Sequence, residues 1–317
     1  MGRTRIRETT WDSYSALTLE NDELSIVTIP ELGGKIISFV GKCKGFDPVF
    51  TNPNTGLVKY AYDSAYQTSD SGIGELLPSI GVGVYPEAPW NGVPLPDKGE
   101  LWTQEFATSI QRDSVVQKVR GVRFPYEFTR KLRLRKNALL LDYTLENLCS
   151  FGFKYIWSLQ PHLVLTTDME IALDGPGRFY VDWSKNRTFE TRTKKYEWPV
   201  AVTVEGTQVD FSRIRGLDGN AEKLFLTELA KGEVRLLYHD RGMAITWHFD
   251  NRLIANCGLW INRAGWPLAG KPTELIAVQP CTSTSDFFED TCRQGSITVA
   301  AARSVSEWSV QVAVDSL

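Results

Sequence analysis

Alternation of apolar and polar residues with a period of two runs through the chain wherever a pattern is legible, and nothing constrains its fold more. In EWSVQVAV, Trp308, Val310, Val312 and Val314 fall on one face and Glu307, Ser309 and Gln311 on the other, as a half-buried strand requires. Leu139, Leu141, Tyr143 and Leu145 alternate in the same way with Leu140, Asp142, Thr144 and Glu146. The turn-like Lys136-Asn137 joins that run to KLRLR and predicts a hairpin. VRLLYHDRGMAITWHF predicts another, turning at His239-Asp240-Arg241-Gly242. No segment carries a sustained helical repeat, and there is no internal repeat or low-complexity tract. The expected architecture is all-β: two large antiparallel sheets face to face with long loops at their rims, forming one domain over residues 1–317. The longest irregular stretch, from about Asn52 to Leu95, is rich in Gly, Pro, Ser and Asn, and a loop of that size in a compact domain is usually functional.

With 317 residues, 42% of them hydrophobic, the chain can bury a large core, and a formal net charge of -3 carries no polyelectrolyte signature. The one basic run, RKLRLRK at 130 to 136, alternates with leucine and reads as a solvated strand face, so no nucleic-acid partner is expected. The opening MGRTRIRETTWDSY lacks the apolar stretch of a secretory signal, and no later segment is long and apolar enough to cross a bilayer. The expectation is a cytoplasmic protein without a membrane partner. Five cysteines, Cys43, Cys149, Cys257, Cys281 and Cys292, show no CxxC spacing and read as reduced thiols. A metal site built from several histidines would consume nearly all three of His162, His239 and His248, so neither a metal nor another cofactor is expected. Nothing in the sequence sets an oligomeric state.

Several segments, in order, resemble the aldose 1-epimerases (galactose mutarotases) and their relatives over nearly the whole chain. IPELGGKIISF (29 to 39) is similar to the family's opening strand and double-glycine turn. GELLPSIGVGVYPEAPWNGVPLPDKGELW (74 to 102) resembles a mutarotase-like branch with a Pro-Asp-His-Gly-Glu-Leu-Trp signature. PYEFTRKLRLRKNALLLDYTLEN (125 to 147) resembles the central hairpin, and YIWSLQPHLVL (155 to 165) the strand where relatives have a His-Pro pair. GLWINRAGWP (258 to 267) and IAVQPCTSTSDFF (276 to 288) resemble the closing strands, where relatives read Leu-Glu-Pro. The resemblance implies a β-supersandwich with a sugar-binding cleft on a concave sheet face, and a small carbohydrate as partner. There a glutamate takes the anomeric hydroxyl proton while a histidine protonates the ring oxygen, with a second histidine holding the sugar.

At all three of those places this sequence departs from the pattern. Lys98 stands at the signature's histidine, Gln160 at the histidine of His-Pro, and Gln279 at the base glutamate. A glutamine amide takes no proton at neutral pH, but both glutamines can hydrogen-bond sugar hydroxyls. Lys98 is either a fixed positive partner beside Asp97, Glu100 or another carboxylate, a proton shuttle if desolvated, or a surface turn lysine paired with Asp97. If the chain stays extended through Pro161, residues 160 and 162 point to the same side, and His162 can reach the space left by the missing histidine; the alternative is a half-buried, backbone-bonded histidine. Glu75, Glu87, Asp97, Glu100 and Asp286 are the carboxylates available to replace the base. Glu100 is the first choice, against the alternative that it braces its loop by accepting backbone N–H groups. Trp90, Trp102, Trp157, Trp260 and Trp266 lie in the matching motifs, and at least three of the five are expected to pack in the core or rim rather than stack on a sugar.

The expected activity is therefore that of an aldose 1-epimerase-type isomerase acting on a monosaccharide or sugar acid. Lys98, His162 and Glu100 are its candidate catalytic groups, and Gln160, Gln279, Glu75, Asp97, Trp102 and Asp286 its candidate substrate contacts. A sugar-binding or sensing protein without turnover is the rival from another class, and a different isomerisation or elimination on the same scaffold is a third reading.

Overall fold

A computed structural model describes residues 3–66, 70–186 and 189–317. The larger of its two main sheets has twelve strands. Its central members are, in spatial order, Lys35–Gly41, Ile73–Leu76, Ser158–Pro161, Thr273–Cys281, Asn256–Trp266, Ala221–Thr227 and Arg178–Ser184, all antiparallel to their neighbours. The nine-stranded sheet holds both expected hairpins. Tyr126–Arg135 pairs with Ala138–Asn147 from Arg135 opposite Ala138, and Glu233–Tyr238 pairs with Met243–Phe249 across the short 3-10 turn His239–Arg241. One hydrophobic core lies between the sheets, drawing Ile26, Phe39 and Leu224 from the first and Leu132, Leu141 and Val312 from the second. Period-two alternation is the direct cause: Leu139, Leu141, Tyr143 and Leu145 are all buried, and Glu146 is exposed.

Among the described residues there is one α-helix, Phe288–Arg293, too short to leave a periodic signature and in keeping with the expected all-β fold. Two expectations are corrected. The stretch from Asn52 to Leu95 contains the strands Ile73–Leu76, Gly83–Val84 and Pro94–Leu95; the first lies inside the large sheet. Finally, RKLRLRK is not solvated throughout, because Arg130 is fully buried. It shares its parity with Phe128 and Leu132 and therefore points inward, where its Nη1 donates to both Glu75 oxygens at 2.7 Å and its Nε to Gln117 at 3.2 Å. Nη2 also donates to the Gly34 carbonyl. All five cysteines are free.

Candidate functional site

Neighbouring strands of the large sheet, together with two rim loops, surround a cavity of 390 Å³. Strand register builds its floor. Lys223 lies opposite Trp260, and Gly258 lies between Phe225 and Gln279, so Lys223 and Gln279 project from the same face. Gly258 leaves room for this pair: a Cβ there would stand 2.9 Å from both Gln279 Oε1 and Lys223 Nζ, which are hydrogen-bonded to each other, and would displace these side-chain ends. In Arg178–Ser184 the register shifts between Val181 and Trp183, and this bulge lets the consecutive Asp182 and Trp183 both reach the cavity. Trp183 meets Trp260 at 5.7 Å and Trp266 at 5.5 Å between ring centroids, giving a half-buried aromatic wall.

The rim is assembled around the segment Leu77–Gly81. The Ile80 carbonyl accepts the Lys98 N–H (2.8 Å), the Leu77 carbonyl accepts that of Glu100 (2.6 Å), and the Gly81 N–H donates to the Asp286 carbonyl (2.7 Å). Two loops distant in sequence are thereby docked on one strap, bringing Lys98 Nζ to 3.8 Å from Asp286 Oδ2. Lys98 has φ 59°, a left-handed conformation that costs a non-glycine residue roughly 1 kcal/mol or more, so its position is imposed by these bonds. Its acidic partner is Asp286 rather than Asp97 or Glu100.

Electrostatics divide the cavity in two. At one end, burial pushes the Asp70 carboxyl up to about 6 despite Lys98 and Lys35, and pushes Lys35 down to about 8. Burial, reinforced by Lys35 and Lys98, drives His162 down to about 3, so its imidazole is neutral at physiological pH. Asp70 Oδ1 is 3.6 Å from His162 Nε2; the Ser71 and Gly72 backbones are near but outside hydrogen-bond geometry, and both ring nitrogens lack a hydrogen-bond partner among the described residues. At the other end, burial raises the Asp286 carboxyl, but Lys223 (3.4 Å) and Lys98 outweigh that effect and hold it below the usual carboxylate range. Asp182, buried and next to Asp286, is pushed up to about 6, although it accepts the Ser285 hydroxyl (3.1 Å) and faces Arg192 Nε at 3.4 Å.

The sequence candidates separate cleanly. Lys98, His162, Gln160, Gln279, Asp97 and Asp286 all line the cavity, and residues 160 and 162 do so from the same side of a chain that passes through Pro161. Asp97 also braces the rim, its carboxylate accepting the Tyr66 N–H at 3.0 Å. Glu100, Glu75 and Trp102 do not line it. Glu100 is buried and accepts the Tyr62 and Tyr126 hydroxyls and the Val122 and Arg123 N–H groups at 2.8–3.1 Å, so it is the brace rather than an open base. Glu75 is held by Arg130 and by the Tyr143 hydroxyl at 3.1 Å. Trp102 packs against Tyr60 and Tyr66, its indole N–H donating to the Asp97 carbonyl. Glu87 pairs with Lys154 elsewhere. Of the five motif tryptophans, Trp260 and Trp266 reach the cavity.

Sequence reasoning missed Asp70, Asp182, Trp183, Arg192 and Lys223. Lys223 left a weak signal, lying beside Glu222 ahead of the apolar run Leu224–Leu226 in the strand Ala221–Thr227, which is buried at every position. Asp182 and Trp183 left none, because alternation assigns consecutive residues to opposite faces and only the bulge reunites them.

Chemically, the cavity offers the Asp286 carboxylate between two ammonium groups, three further carboxyl groups (Asp70, Asp97 and Asp182), the Arg192 guanidinium, two amides, a neutral imidazole and an aromatic wall. Among solved structures, the chain is similar to a galactose mutarotase-like protein from Clostridium acetobutylicum (TM-score 0.71, 9% identity, 99% of each chain covered). It is also similar to a candidate aldose 1-epimerase from Escherichia coli K12 (TM-score 0.68, 14% identity, 99% of this chain and 100% of that one). A galactose mutarotase-like protein from Lactobacillus casei gives a TM-score of 0.65 at 17% identity, covering 95% of this chain and 100% of that one. No protein-family model matches the chain, and no curated protein matches it in sequence. At such low identities the likeness speaks for architecture alone: the chain has the all-β, galactose mutarotase-like sandwich fold.

Proposed function

We propose that the cleft holds one monosaccharide or sugar acid and interconverts its anomers with an acid–base set of its own. One observation carries the reading. Buried polar atoms in folded proteins are nearly always hydrogen-bonded, yet Gln160 Oε1, both His162 ring nitrogens and Asp286 Oδ1 have no hydrogen-bond partner among the described residues, and all four belong to residues lining this one cavity. A polyhydroxylated ring satisfies such atoms, while the tryptophan wall offers its faces to sugar C–H groups.

In this reading Asp286 takes the proton of the anomeric hydroxyl. As the C1–O bond of the ring breaks, its electron pair goes to the ring oxygen, which receives a proton from the Lys98 ammonium. Rotation about C1–C2 and the reverse steps close the other anomer. The Lys98–Asp286 separation of 3.8 Å is too long for a hydrogen bond, which leaves the pair free to engage a substrate oxygen. His162, neutral, serves as a hydrogen-bonding group rather than an acid of ordinary strength.

A second reading, sugar binding without turnover, is favoured by Gln279, whose amide oxygen is engaged by Lys223 and cannot act as a base. Anomer exchange of glucose, galactose and glucuronate, followed by NMR, separates the two. The first reading expects exchange above the buffer rate for at least one sugar, rising further in Gln279→Glu; saturable binding with no exchange leaves the second.

A further inference from the structure

Beyond the Asp182–Arg192 pair lies a second hollow of 370 Å³, and these two residues line both it and the cleft. We propose that this hollow is a subsite for a further sugar ring, so that the site takes a neutral disaccharide or longer glycan by its reducing end. The inference rests on the reading of the cleft as a saccharide site and specifies the substrate's size and charge.

Three observations converge on it. First, the lining is mixed: Tyr180, Thr191, Thr193 and Ser285 contribute hydroxyls and Gln294 an amide beside apolar surface, a combination that suits the hydroxyl and C–H faces of a sugar ring. Second, the charges cancel. Asp182 and Asp290 face Arg192 at 3.4 and 3.5 Å, and Arg293 meets Asp290 at 3.0 Å, which leaves no surplus cation to select a phosphate or carboxylate. Third, the Tyr180 hydroxyl is buried in this wall without a hydrogen-bond partner, the Thr284 side chain lying near but outside bonding geometry. An unpartnered buried hydroxyl is costly, and a sugar hydroxyl in the hollow would satisfy it. Arg192 forms the divide. Its guanidinium, 4.1 Å from the centre of the Phe287 ring, is more than a third exposed, so a chain of two rings can pass along it without entering the core.

Calorimetric titration with glucose and galactose, and with maltose, cellobiose and lactose, tests the proposal on the wild type, Tyr180→Phe and Gln294→Ala. Gln294 is exposed, and Tyr180→Phe keeps the ring, so both variants should fold. At least one disaccharide is expected to bind about tenfold tighter than its reducing-end monosaccharide, and each variant to remove about three- to tenfold of that advantage while leaving the monosaccharide Kd within twofold. Monosaccharide binding without any disaccharide advantage, or variants that weaken both ligand classes equally, would overturn the subsite and leave the cleft reading standing. If no saccharide binds, both fall.

Discussion

Glu75 and Glu100 in the core and Asp286 in the cleft are all carboxylates removed from bulk water, yet their surroundings differ in kind. Glu75 receives Arg130 on both oxygens and a tyrosine hydroxyl besides; Glu100 accepts four donors. Asp286 has ion pairs at 3.4 and 3.8 Å, and its Oδ1 lacks a hydrogen-bond donor among the described residues. Completed coordination holds a fold together, whereas incomplete coordination next to a cavity leaves capacity for a ligand. Burial alone, which all three share in some degree, does not tell a brace from a reactive group.

The largest effect expected lies in the core. Arg130→Met leaves the Glu75 carboxylate buried without its cation and should lower unfolding free energy by about 3–5 kcal/mol in urea titrations. The double change Glu75→Gln with Arg130→Met should recover part of that loss, because no uncompensated charge remains. A small loss in the single variant would break the comparison, since Glu75 would then be no more committed than Asp286.

In the cleft the pattern should reverse. Asp286→Asn is expected to cut anomer exchange about a hundredfold or more while altering stability by less than about 1 kcal/mol, as removal of a general base with few structural bonds should. Equal activity in the variant would remove Asp286 from the chemistry.

A smaller effect sharpens the third category, a buried group that is neutral. The folded pKa of His162 is depressed to about 3 from 6.5, so below pH 6.5 the unfolded chain takes up a proton that the folded chain refuses. This term makes the fold less stable as pH falls through that window. Relative to His162→Gln, the wild type should lose stability progressively as pH falls from 6.5 towards 3, measured by thermal or urea unfolding. Parallel curves would mean that His162 is protonated in the folded state.

Much of the fold was legible because strand parity needs only local sequence. Parity could also have found Arg130, which falls in register with Phe128 and Leu132; the basic character of RKLRLRK obscured it. The candidate site was legible where a motif marked it, as with Lys98, Gln160, Gln279 and Asp286. It was illegible where position depends on partners far along the chain. Whether Glu100 is a base or a brace is decided by donors at Tyr62, Val122, Arg123 and Tyr126, and whether Asp182 faces the cleft by a one-residue bulge. Period-two reading encodes neither.

The most direct test of the central claim follows the ten tryptophan indole N–H signals by ¹H–¹⁵N NMR as sugar is added. Saturable shifts confined to Trp183, Trp260 and Trp266, with the core residues Trp157 and Trp247 unmoved, are predicted. Shifts that bypass those three, or none with any saccharide tested, would contradict it.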